Sequence, residues 1–200
     1  MKHNLCIDGY LYRLRPASTE DAPFVVEVRT ENAERNKFIH PISQSVDAQI
    51  QWLENYYKTD GDYYFVIENL FTKEPEGLIS IYNIRDKKGE SGRWVIKEDS
   101  LAAIESFYLL YRLAFEQILL DEVYSTVIEE NKPVIAFHKS AGQKIRGILP
   151  GYYLWNGAQY NAIEFYMEKD YFQKEVCPNL ERKARRLFEL FKKRNQGYTN

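Results

Sequence analysis

Residues 122–142, EVYSTVIEENKPVIAFHKSAG, change hydrophobic period part-way along, and the rest of the chain is read outward from that change. Val123, Ser125, Val127 and Glu129 alternate with Tyr124, Thr126 and Ile128 in a β-branched, aromatic-rich run, which predicts a central strand over Val123–Glu129. Asn131 then stands where a helix cap belongs, and Pro133 falls in the first helical turn, where its missing N–H costs nothing. Val134, Phe137, His138 and Ala141 recur at helical spacing until Gly142 stops them. Upstream, Leu101, Ile104, Phe107, Tyr108, Tyr111, Phe115, Ile118 and Leu119 trace the apolar stripe of a long amphipathic helix. With a strand at Arg93–Lys97, these pieces make a strand–helix–strand–helix unit in which the carboxyl ends of two strands open on one site.

At 200 residues and 44% hydrophobic content, the chain is long enough for one well-buried core and short for two. Its net charge of -2 argues against a nucleic-acid binder driven by bulk electrostatics. Cys6 and Cys177 belong to no metal-spaced pair, so no metal site is expected and free thiols in a reducing compartment are. The start, MKHNLCIDGY, lacks an apolar signal core, and no run is long enough to cross a bilayer, so a cytoplasmic protein is expected. Sixteen tyrosines are many; they pack at core edges or line a polar cleft.

Before the central unit, Tyr10–Arg15 alternates as a first strand closed by Pro16, and Ser18-Thr19-Glu20-Asp21 starts a helix with Phe24, Val25 and Val28 on its apolar face. A second helix is expected over Val46–Tyr57, then an antiparallel pair, Tyr63–Leu70 with Gly77–Ile84. Arg85–Gly92 reads as a charged loop. Lys144–Leu149 and Asn161–Glu168 read as a last antiparallel pair, joined by Pro150-Gly151 and the aromatic connection GYYLWNGAQY. Residues 1–170 form the main domain. The segment 171–200 holds a basic amphipathic helix, Glu181–Arg194, which either packs Leu187, Phe188, Leu190 and Phe191 on the body or a second subunit, or meets an anionic partner or membrane surface.

The order and spelling of these pieces resemble the GNAT superfamily of acyl-CoA-dependent N-acetyltransferases, in particular its ribosomal-protein and nucleotide-sugar branch. The residues that carry the resemblance are Ala114-Phe115-Glu116 before Leu120, Val123-Tyr124, and Asn131 with Phe137-His138-Lys139 and Gly142. It extends more weakly from about Tyr12 to Asp170. The resemblance implies an α/β fold: a mixed, mostly antiparallel sheet with one splayed parallel pair and helices on both faces. It also implies acetyl-CoA as co-substrate and a small amine as acceptor, an amino sugar on a nucleotide being the first expectation and a protein N-terminus the second. A non-catalytic binding module on the same fold is the rival reading.

Acetyl transfer from a thioester to an amine needs a phosphate seat, a donor to the thioester oxygen, a base for the amine and an acid for the leaving thiolate. For the seat, the family signature is Gln/Arg-x-x-Gly-x-Gly/Ala. This chain has Lys97-Glu98-Asp99-Ser100-Leu101-Ala102-Ala103, without glycine and with two carboxylates that repel phosphate. Lys97, Ser100, Leu101, Ala102 and Ala103 are the candidate ligands there, Ser100 serving equally as a plain helix cap. The resemblance places a backbone N–H near Val95-Ile96 on the thioester carbonyl, and makes Asn131 face the acyl donor. His138 takes the place of the family's frequent acid, a Tyr seven residues after that Asn; a half-buried structural histidine is the alternative. Glu90 is the candidate base and Glu105 a lesser one, while His3 and His40 read as surface residues. Gly-x-Ser-x-Gly, Gly-x-x-x-x-Gly-Lys and His-Glu-x-x-His are all missing, which removes serine hydrolase, P-loop and zincin chemistry.

Overall fold

Both faces of the central strands are covered, and the sequence shows it as near-continuous apolar runs. In a computed structural model describing residues 2–155 and 157–196, eight strands form one sheet: β1 (Ile7–Asp8), β2 (Tyr12–Pro16), β3 (Tyr63–Asn69), β4 (Pro75–Arg85), β5 (Lys88–Ile96), β6 (Glu122–Ile128), β7 (Lys144–Trp155) and β8 (Ala158–Glu168). Their spatial order is β1-β2-β3-β4-β5-β6-β8-β7, every pair antiparallel except β5 with β6. The helices are α1 (Ala22–Thr30), α2 (Val46–Tyr56), α3 (Ala102–Glu116), α4 (Lys132–Ser140) and a C-terminal helix, Cys177–Gln196.

Alternation along β3 sends Phe65 and Ile67 to one side and Tyr64 and Val66 to the other. The first pair meets Phe107, Leu110, Tyr111 and Phe115 of α3; the second meets Val25 and Val28 of α1 and Leu53 and Tyr56 of α2. Each of these large side chains contributes roughly 1.5–3 kcal/mol by leaving water. α4 packs Ile135 on Val127 and Phe165. Ser45 accepts from the Ala48 amide at the start of α2, and Ser18 with Asp21 makes the capping box of the short 3-10 turn Thr19–Asp21 that leads into α1.

Two expected connections are strand. Arg85–Gly92 is a tight hairpin: Asp86 and Lys87 form the two-residue turn with φ of 48° and 57°, Arg85 pairs with Lys88, and β5 runs from there. Left-handed turns of this kind normally announce themselves with Asn-Gly or Asp-Gly, and this one has neither. Likewise the aromatic connection after Pro150-Gly151 belongs to β7, an edge strand that tolerates Pro150 and bulges there between Leu149 and Tyr153. Asn156 of that connection and residues 197–200 of the tail lie outside the described residues.

The C-terminal helix sends Leu180 into the same core as α3, joined by Phe172 and Val176 just before it, and Ala184 is also fully buried. Tyr10 ties the helix to the β1–β2 turn: its hydroxyl donates to Glu181 at 2.7 Å and its ring stacks on Phe188. The basic side chains of Arg182, Arg186, Lys193 and Arg194 face solvent. Cys6 and Cys177 are free thiols.

Candidate active site

The parallel pair joins for only three residues, Lys88 with Glu122, Gly89 with Val123 and Glu90 with Tyr124. Beyond Glu90 the strands part: β6 keeps its ladder with β8 as far as Ile128, while β5 stays with β4. A bulge turns β5 away. Ser80 pairs with Gly92 but Leu78 with Val95, so β5 carries one extra residue there, and Arg93 sits at φ 47°. A Cβ at Gly92 would come within 2.4 Å of the Tyr82 hydroxyl, so any larger residue at this bend must displace that ring.

Side chains hold the parting open from both faces. Arg93 is drawn to Asp62 by a bidentate pair of 2.6 and 2.8 Å and lies over the Tyr82 ring at 4.4 Å. Trp94 packs the other way, edge-on to Phe137 of α4 at 4.7 Å and against Phe107 of α3. The space left is a cleft of about 850 Å³ between β5, β6, the starts of α3 and α4, the segment after α1, and Tyr152 and Tyr153 of β7.

Glu90 stands at the point of parting and is 7% exposed. Its carboxylate accepts from Thr126 Oγ1 at 2.9 Å and from Asn83 Nδ2 at 2.9 Å, and Thr126 Oγ1 also meets the Tyr153 hydroxyl at 2.8 Å. Burial, with the Glu90 charge beside it, pushes the neighbouring Tyr82 phenol far above its ordinary range and keeps it protonated. The position read in sequence as a loop glutamate is therefore a buried strand carboxylate facing the cleft.

On the opposite face runs a buried polar chain. His138 Nδ1 is hydrogen-bonded to Gln143 Oε1, Gln143 Nε2 donates to Tyr111 Oη at 2.5 Å, Tyr111 Oη meets Ser91 Oγ at 3.4 Å, and Ser91 Oγ meets Ser125 Oγ at 2.8 Å. Burial lowers the His138 pKa to about 4, offset only in part by Gln143, so the ring is neutral near pH 7. It lies flat on Phe165, centroids 5.1 Å apart. Burial likewise pushes the Tyr111 phenol up to about 12.

At the mouth, the turn 97–101 is committed to its own structure. Ser100 Oγ donates to Glu76 at 2.6 Å and accepts from the Ala102 amide at 3.1 Å, and Tyr12 and Asn69 also donate to Glu76. Glu98 and Asp99 are exposed, Lys97 lies 3.3 Å from Glu27, Leu101 points to solvent and Ala102 is fully buried. Of the expected donor-binding residues, Val95, Ile96, Ala103 and Asn131 line the cleft together with Glu90 and His138, whereas Lys97, Ser100, Leu101 and Ala102 do not. Asn131 holds the N-cap position of α4, yet its side chain makes no capping bond. Arg35, which the sequence reading passed over, lines the mouth; it donates to the Ile96 carbonyl and has no carboxylate partner among the described residues.

Glu105 faces away from the cleft. Its carboxylate, 2% exposed and with a pKa raised by burial, accepts from the Tyr10 and Leu11 amides and holds the β1–β2 turn, so it serves the fold and not the base role. His3 packs on Tyr63 and Phe65, while His40 is on the cleft rim. Among the described residues no metal-binding cluster occurs and no helix is long and apolar enough to cross a membrane.

A family model for the acetyltransferase (GNAT) domain matches residues 12–144, two thirds of the chain. The chain belongs to the GNAT family. Solved structures agree on this GNAT fold. A presumed acetyltransferase of T. thermophilus superposes with a TM-score of 0.75 at 24% identity, covering 92% of this chain and 98% of that one. FdhC, a nucleotide-linked sugar GNAT, gives 0.72 at 21%, covering 90% and 98%. A mutant of the spermidine N-acetyltransferase SpeG from Vibrio cholerae gives 0.72 at 17%, covering 82% and 97%. A search of curated protein sequences returns no significant match. This GNAT protein is an acyltransferase.

Ser91, Ser125, Tyr111, Gln143, Thr126, Tyr82 and Arg35 were not singled out in sequence. A signal existed for some of them: Tyr111 is a hydroxyl on the apolar stripe of α3, and Ser125 and Thr126 are the small polar residues in an otherwise apolar strand.

Proposed function

We propose that the protein is an acetyl-CoA-dependent N-acetyltransferase that modifies a small amine, a nucleotide-linked amino sugar first among the candidates. The observation that carries the reading is Glu90: a buried carboxylate, hydrogen-bonded on both oxygens, at the vertex of two parted strands. Acetyl-CoA supplies an activated acetyl thioester. The unpaired edge of β5 beyond Glu90 offers backbone groups to a thin amide-bearing arm, as a sheet edge does to an added strand. Along that edge a backbone N–H near Val95-Ile96 is the donor to the thioester oxygen, where a fixed dipole acts on developing charge. Glu90 takes the proton of the attacking ammonium, directly or through one water, and Thr126 and Asn83 hold its carboxylate in place.

At the mouth, Ser100 is turned onto Glu76, so the phosphates fall to Arg35 and to the backbone at Ala103 rather than to a serine hydroxyl. Asn131, free of capping duty, faces the arm between them. Tyr152 and Tyr153 supply aromatic faces beside Glu90 on which a sugar or base can stack. The likeness to FdhC and SpeG suggests two acceptor classes, a nucleotide-linked sugar, taken here as one bearing an amine, and spermidine; a peptide N-terminus completes the panel.

The test is thiol release from acetyl-CoA with each of these amines, beside calorimetric titration of acetyl-CoA alone. Binding with turnover on the nucleotide-linked sugar is expected. Turnover on spermidine or the peptide alone would replace the acceptor, and no binding at millimolar acetyl-CoA would overturn the reading.

A further inference from the structure

The half-buried arginines of this chain are neutralised, with one exception among the described residues. Arg13, Arg15, Arg93 and Arg112 each have a carboxylate within 2.8 Å. Arg29, in the last turn of α1, has none. Its guanidinium donates to the His40 carbonyl at 2.6 Å, and its Nε–H is buried without a partner. The carbonyls at the end of α1 offset a fraction of its charge. A cation half out of water, with donors unused, is costly until an anion arrives to meet it.

That charge stands on the same face of the sheet as Glu90. Tyr64 pairs with Ser80 and Tyr82 with Glu90, so alternation puts all four on the side covered by α1 and α2. The Tyr64 hydroxyl is buried and unpaired there. Burial raises its pKa above the ordinary range, and Arg29 and Arg93 are the charges that pull it back. Of the two, Arg93 is already held by Asp62 and Arg29 is not. Arg29 and Glu90 both line the cleft. Of the other cations lining it, Lys37 is paired with Glu34, and Arg35 lies at the mouth on the Ile96 carbonyl.

We infer that Arg29 binds an oxyanion of the acceptor, a phosphate or carboxylate carried on the same molecule as the reacting amine. This rests on the acetyl-transfer reading above and narrows it to amines that also bear an anionic group. A guanidinium presents parallel N–H donors that match either oxyanion. Glu90 takes the ammonium proton at one end of the acceptor, and Arg29 fixes the anion at the other. Spermidine, a polycation, meets Arg29 as a like charge, whereas a nucleotide-linked sugar brings its diphosphate to it.

The test loads the protein with CoA, which fills the acyl donor's own phosphate contacts, and then titrates inorganic diphosphate and succinate separately by calorimetry. The wild type should bind at least one of them, and the tighter names the oxyanion. Arg29→Gln should weaken that binding about tenfold or more, the scale of one hydrogen bond to a charged group, with CoA affinity kept. Arg29→Lys, which keeps the charge, should recover part of the loss. No binding of either anion to the wild type, or equal binding in Arg29→Gln, overturns the inference. An equal loss in Arg29→Lys and Arg29→Gln also overturns it, because the residue would then hold the His40 segment and not an anion. A fall in CoA affinity in Arg29→Gln gives the cation to the acyl donor, with the same consequence. In turnover, the wild type should use glucosamine 1-phosphate about tenfold more efficiently than glucosamine, and Arg29→Gln should not distinguish them; equal use by the wild type overturns the inference. If CoA itself does not bind, the acetyl-transfer reading fails, and the same anion titrations on the CoA-free protein still decide whether Arg29 is an oxyanion site.

Discussion

β6 has two neighbours and treats them differently. Toward β8 it pairs along its whole length, Glu122 to Ile128; toward β5 it pairs for three residues and stops. The two flanks have similar material in them, so composition does not separate them. What differs is who competes for the partner strand. β8 has only β7 on its far side, while β5 is bent by the bulge at Gly92–Arg93, anchored to β4, and bound through Trp94 to α3 and α4. A zipped flank stabilises the sheet; a parted flank leaves backbone groups for a ligand. On the parted side the ladder's place is taken by side chains, Glu90 with Thr126 on one face and Ser91 with Ser125 on the other.

If the parted flank is the catalytic one, its carboxylate matters most. Glu90→Gln should lower kcat about 10²–10⁴-fold, the usual contribution of a positioned base, with acetyl-CoA affinity kept. A fall of less than threefold would move the base elsewhere. Next, Asp62→Ala leaves the half-buried Arg93 without its carboxylate and should cost about 1–3 kcal/mol in urea denaturation, loosening the bulge that parts the strands. An unchanged midpoint would show that the ion pair does not hold the bend.

His138 gives a pH-dependent effect of similar size. Its folded pKa is lowered from 6.5 to about 4, so the folded state binds fewer protons in that window. Its contribution is present above pH 6.5 and lost as pH falls toward 4, worth about 3 kcal/mol at full extent. Stability measured from pH 7 to 4 should therefore fall more steeply in the wild type than in His138→Gln; parallel curves would contradict a buried neutral ring. The smallest effect is at the mouth. Arg35→Ala should raise the KM for acetyl-CoA about tenfold and leave S-acetylpantetheine, which lacks the diphosphate, unaltered. Equal effects on both donors would place the phosphates elsewhere.

Much of the architecture was readable because it is local. The period switch at 122–142 fixed β6 and α4, the apolar stripe fixed α3, and Gly142, at φ 89°, ends α4 as expected. Two candidate residues that line the cleft, Glu90 and His138, were also visible. Their surroundings were not. Glu90 looked like a loop residue because the hairpin before it turns on Asp86-Lys87 without glycine. His138 looked like a group that titrates near neutrality because nothing local shows Phe165 beneath it or Gln143 beside it. Ser91 and Ser125 lie 34 positions apart, and only the register of the parallel pair brings them together. The mouth reads the same at both levels, glycine-free and acidic, with Ser100 already bonded to Glu76.

Backbone hydrogen exchange across the two flanks of β6 tests the account most directly. With acetyl-CoA added, amides of β5 from Ser91 to Ile96 should slow sharply while those shared between β6 and β8 stay as they were. Protection spread evenly over the sheet, or none on β5, would contradict the claim that the thioester arm occupies the gap between the parted strands.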